Sequence, residues 1–136
     1  MGRLKAGHWE HITAEQGLYE NYISQIAADD RGWLWLAGNR GIFQVGIDDL
    51  LDVAENQSDH LRPIVYGRGE GLPSLQANYE NSPGAMRSRD GLLWFPMRTG
   101  LAVIHAESVR HNPAPPPVLL KLVTVEIGRA SCRERV

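Results

Sequence analysis

Asp29 to Val45 reads DDRGWLWLAGNRGIFQV, and it returns in degraded form as SRDGLLWFPMRTGLAVI from Ser88 to Ile104. In each copy a polar turn closes on glycine (Gly32, Gly91) and leads into an aromatic-rich apolar run, Trp33-Leu34-Trp35-Leu36 or Leu92-Leu93-Trp94-Phe95. A second turn closes on Gly41 or Gly100, and a further apolar run follows, Ile42 to Val45 or Leu101 to Ile104. Short apolar runs bounded by such turns predict hairpin strands. Glycine there permits the positive φ that tight connections often need.

The copies extend outward from these hairpins. Gly32, Trp35 and Gly41 recur as Gly91, Trp94 and Gly100, a shift of 59, whereas Gly17-Leu18 recurs as Gly71-Leu72, a shift of 54. The difference predicts an insertion within Ser74 to Ser88, where a loop absorbs it cheaply. Pro63 to Tyr66 precedes Gly71-Leu72 as His8 to Ile12 precedes Gly17-Leu18, which adds an outer strand to each unit. About four short strands in roughly 54–59 residues suit one blade of a β-propeller. The expected fold is all-β: a β-propeller fragment of about two blades of four-stranded antiparallel sheet, with one short helix in a loop. That helix is expected at 48–56, from the acidic start Asp48-Asp49 and the spacing of Leu50, Leu51 and Ala54.

The expected organisation is the end of a preceding blade at 1–16, a complete blade at 17–70 and a final, partial blade at 71–111. A Pro-rich linker follows at 112–117, and a strand of another β domain at 118–125. Residues 126–136, EIGRASCRERV, resemble the translation of a common short-read sequencing adapter. They carry no expectation of fold, and the rest is expected to be part of a longer protein. Two blades alone would leave open strand edges and an exposed apolar wedge.

The 136 residues carry a net charge of −2 and no basic run, which gives no footprint for nucleic acid or an anionic membrane surface. The 43% hydrophobic share supports a packed core. No apolar run is long enough to span a membrane, and the start has no apolar h-region of a signal peptide. The single cysteine, Cys132, excludes an intrachain disulfide.

The chemistry-bearing residues read mostly as structural. His8 and His11 fall three apart on an expected strand, hence on opposite faces, and His60, His105 and His111 have no partners at ligand spacing. Gly67 to Gly71 is followed by Leu72-Pro73-Ser74 and then a strand rather than a helix, so it reads as a turn, not a phosphate loop. Ser24, Ser74, Ser82 and Ser88 stand in no nucleophile context, and Asp29-Asp30 and Asp48-Asp49 read as turn and helix-start carboxylates. No catalytic residue, metal or cofactor is expected. Trp35 and Trp94 are expected to fill the wedge between neighbouring blades. Trp33 has no aromatic counterpart, since Leu92 stands in its place. Asn39, Arg40, Arg98 and Thr99 fall at equivalent hairpin tips and are the candidate ligand-binding residues.

Gly17, Leu18, Ile23, Ile26, Asp29, Gly32, Trp35 and Gly38 together resemble the two-component regulator propeller repeat. The second copy keeps Gly71, Leu72, Gly91, Trp94 and Gly100, but has Ser88 at the acidic position and Met97 in place of Gly38. Pro115 to Leu120 resembles the junction into the immunoglobulin-like Y_Y_Y domain of the same proteins. The resemblance covers nearly all of residues 8 to 125. It implies a sensor segment that perceives an extracytoplasmic ligand, carbohydrate-derived in some members, for a two-component signalling protein. It also implies a periplasmic location, a histidine kinase or other output module in the parent, and a homodimer of that parent. The rival expectations are a propeller-scaffold lyase or hydrolase, and a structural or protein-binding propeller.

Overall fold

The computed structural model describes residues 1–80 and 82–109. Among them the chain forms three antiparallel sheets in sequence order. The first is a hairpin of β1 (Gly2–Lys5) and β2 (His8–His11). The second is four-stranded: β3 (Ile23–Ala28), β4 (Trp33–Gly38), β5 (Ile42–Gly46) and β6 (Ile64–Tyr66). The third is three-stranded: β7 (Met86–Arg87), β8 (Leu92–Met97) and β9 (Gly100–His105). Each strand pairs with its neighbour in sequence, so each sheet is a meander. The architecture is all-β, about two blades of antiparallel sheet.

Equivalent positions share one geometry. Trp35 pairs with Ala27 and Gln44, and Trp94 pairs with Met86 and Val103 at the corresponding places. The Asp29 N–H donates to the Trp33 carbonyl at 3.0 Å, and the Ser88 N–H donates to the Leu92 carbonyl at 2.9 Å. Gly32 and Gly91 both take φ +83, a conformation that side chains rarely adopt. Ahead of each blade a short 3-10 turn ends on left-handed glycine: Ala14–Gln16 with Gly17, and Arg68–Glu70 with Gly71. The side chains of Gln16 and Glu70 accept from the backbone N–H groups of Thr13 and Gly67, closing the two turns alike.

The sheets stack face to back. Trp35, Ala37 and Ile42 on one face of the first blade pack against Leu93, Phe95, Met97 and Ala102 of the second. The opposite face of the first blade, with Leu36, Phe43 and Val45, packs on Ile12, Leu18, Leu50, Val53 and Leu61. Leu36 and Phe43 are the repeat equivalents of Phe95 and Ala102. The same surface is therefore covered in both blades, once by the N-terminal segment and helix, and once by the first blade. At about 25 cal/mol per Å² of apolar surface, these two layers are the main stabilising term.

Polar bridges fix the angle between the blades. The buried side chain of Gln25 on β3 donates to the Pro96 carbonyl of β8 at 2.9 Å and also to the Asn78 carbonyl. On the opposite edge Arg31 donates to the Ala106 carbonyl at 3.2 Å, and Arg87 pairs with Asp30.

Four details differ from expectation. Strand β1 was not anticipated, because GRLK lacks an apolar alternation; its pairing with β2 supplies the order. The helix α1 spans Ile47–Ala54 rather than 48–56, since Glu55 caps it and Asn56 turns left-handed at φ +57. It buries Leu50 and Val53, while Leu51 is exposed. Trp94 is only half-buried, whereas Trp35 is 1% exposed, because no described residue covers the outer face of the second blade. The linker at 112–117, the strand at 118–125 and the adapter-like 126–136 lie outside the described residues.

Candidate functional site

The turns β4–β5 and β8–β9 emerge on one side of the stack, so the four candidate tip residues share a face. Glu20, Tyr19, Gln76 and Pro73 hold them. The buried carboxylate of Glu20 accepts from the backbone N–H of Asn39 at 3.1 Å and of Arg40 at 3.2 Å, closing the first turn. The Arg40 guanidinium lies over the Tyr19 ring, 4.8 Å from its centroid, and that ring packs on Phe43 at 5.5 Å. The Thr99 hydroxyl donates to the Pro73 carbonyl at 3.0 Å.

Asn39 and Arg98 meet through a residue that the sequence did not single out. Gln76 donates from Nε2 to the Asn39 Oδ1 at 3.4 Å and accepts on Oε1 from Arg98 at 3.0 Å. Its backbone carbonyl also accepts from the Arg98 N–H at 2.9 Å, and the Ala77 N–H donates to the Gly38 carbonyl at 2.7 Å. Ala77 bridges to Met97 as Ile23 pairs with Gly38, so Gln76 and Ala77 stand at the repeat positions of Tyr22 and Ile23, ahead of the insertion, and from there they bridge the tips of successive blades. That bridge needs a small residue at Gly38. A side chain there would overlap the Tyr22 carbonyl and the Glu20 carboxylate.

Beside the bridge lies a depression of about 280 Å³ lined by Gln76, Ala77, Asn78, Tyr79, Glu80 and Arg98. Tyr79 is 59% exposed at its edge, and Tyr22 also exposes its ring. The structure thus brings Asn39 and Arg98 together through Gln76. It sends Arg40 towards Tyr19 and Thr99 towards Pro73. An amide, a guanidinium, a carboxylate and an exposed phenol ring in one shallow polar depression can hydrogen-bond and stack on a small polar ligand. They include no nucleophile–base pair. Among the described residues no group of three His, Cys, Asp or Glu is placed to hold a metal ion.

The groups with shifted titrations are not members of this network. Burial, with the Glu70 carboxylate second, raises the Tyr66 phenol above its ordinary 10.0. The Ser88 hydroxyl, more than the backbone around it, lowers the Asp90 carboxyl. Lys5 and then Arg3 lower the Glu55 carboxyl through their ion pairs.

No protein-family model matches the chain, and no curated protein matches it. Among the described residues no helix is long and apolar enough to cross a membrane.

Proposed function

We propose that this chain is a non-catalytic ligand-perceiving segment of a sensor propeller, serving a two-component signalling protein. The observation that carries the reading is the tip network, in which Gln76 joins Asn39 of one blade to Arg98 of the next. A ligand seated over that bridge contacts both blades at once and biases their relative setting, which is what a sensor must transmit. The resemblance to the two-component regulator propeller repeat supplies the signalling context. It also supplies a periplasmic location, a Y_Y_Y domain beginning at 118–125, further blades in the parent chain and a carbohydrate-derived ligand class.

Isothermal titration with a panel of neutral and acidic oligosaccharides tests the reading. Binding that Arg98→Ala and Gln76→Ala each weaken by roughly tenfold or more supports it, since one lost charged hydrogen bond is worth about 1.5–3 kcal/mol. Binding that both variants leave unchanged contradicts it.

A further inference from the structure

Strand β9 pairs with β8 from Leu92–His105 to Met97–Gly100, and its other edge is unpaired among the described residues. In the first blade the equivalent edge of β5 is filled by β6, through Ile42–Tyr66, Phe43–Val65 and Gln44–Ile64. The residues of β9 at those positions are Leu101, Ala102 and Val103. Instead of a strand they meet an open groove of about 510 Å³ with Tyr66, Leu72 and Pro73 on its far wall. Leu101 is 51% exposed and Val103 47% exposed, and Met86 on the same face is 53% exposed. The strand GLAVIH carries no Pro, Lys, Asp or Glu, the usual devices that keep an edge from pairing.

We propose that the free edge of β9 docks the same edge of a second copy of this chain, joining two three-stranded sheets into one continuous antiparallel sheet. The sequence of β9 is self-complementary in that arrangement. A two-fold axis at Ala102 sets Leu101 of each copy opposite Val103 of the other, twice, on the exposed apolar face. Gly100 then faces Ile104. Such cross-strand apolar pairs stabilise antiparallel sheets, and a two-fold contact of this kind closes on itself. The flanks are complementary as well. The axis brings the exposed Arg98 of one copy to the end of the strand where the exposed Glu107 of the other stands, and does so at both ends.

Sedimentation equilibrium and amide hydrogen exchange on the full chain test the proposal. The expected result is a concentration-dependent dimer of the 15.2 kDa chain, with slowed exchange at Leu101 to Val103 as dimer forms. Val103→Lys should weaken association by roughly tenfold or more, whereas Val65→Lys, at an exposed apolar site on β6, should not. Arg98→Glu and Glu107→Arg should each weaken it, and the double variant should recover it. That recovery separates a contact from a folding defect. A monomer at every concentration overturns the proposal, whether β9 exchanges freely or is protected by residues 110–136 of its own chain. A trimer or larger species overturns it too.

Discussion

Trp35 and Trp94 make the same bond in different surroundings. The Trp35 indole N–H donates to Asp29 Oδ2 at 2.9 Å, and the Trp94 indole N–H donates to Ser88 Oγ at 3.0 Å. The first ring stacks on Tyr66, 5.4 Å between centroids, and is buried against the second blade, while the second stays half-buried.

The two acceptors differ in what they hold. Asp29 also accepts from the backbone N–H groups of Arg31 at 2.8 Å and Trp33 at 3.0 Å. Ser88 donates to the Leu92 carbonyl at 3.1 Å. Asp29→Ala should therefore cost about 2–3 kcal/mol and Ser88→Ala about 1 kcal/mol in urea unfolding. Equal losses would show that the additional backbone bonds to Asp29 contribute nothing.

The polar bridge between blades gives a second outcome. Gln25→Leu removes the buried donor to Pro96 and leaves that carbonyl without its side-chain partner. It should destabilise by about 1–3 kcal/mol and speed amide exchange in both β3 and β8. Loss confined to β3 would mean that the blades are not coupled there.

Backbone crowding separates two glycines. Gly38→Ala drives a methyl into the Tyr22 carbonyl and should disrupt the first tip and the Gln76 bridge. Gly91→Ala meets nothing within 4 Å and should cost only about 1 kcal/mol, from its φ of +83. Thermal melts that rank the two equally would contradict this contrast.

Alkaline pH supplies a fourth. The Tyr66 phenol is raised in the folded chain from 10.0, so folding favours its neutral form. That stabilisation is complete below the unfolded value and falls away as pH rises through the folded one. Tyr66→Phe should flatten the alkaline limb of unfolding. It should cost little at neutral pH, because the buried hydroxyl has no hydrogen-bond partner. An unchanged alkaline limb would contradict the assignment.

The legible parts of the fold were those written in repeated, locally determined residues. Gly32 and Gly91, with the apolar runs behind them, gave the hairpins, because turn chemistry and alternation act within a few positions. Strand β1 was illegible, since GRLK is ordered by its partner and not by its own pattern. The candidate site was half legible. Asn39 and Arg98 stand at equivalent hairpin tips, whereas Gln76 stands at the repeat position of Tyr22, ahead of the first strand and away from either tip in sequence. Only tertiary placement brings it between them.

The central claim is that successive sheets are equivalent wedges packed face to back, and a crystal structure of the chain tests it most directly. The account predicts both indole bonds, Trp35 to Asp29 and Trp94 to Ser88, within about 3.2 Å, with Leu93 and Phe95 seated on the Trp35 face. Sheets packed with the two tryptophan faces towards each other, or either indole bonded elsewhere, would contradict it.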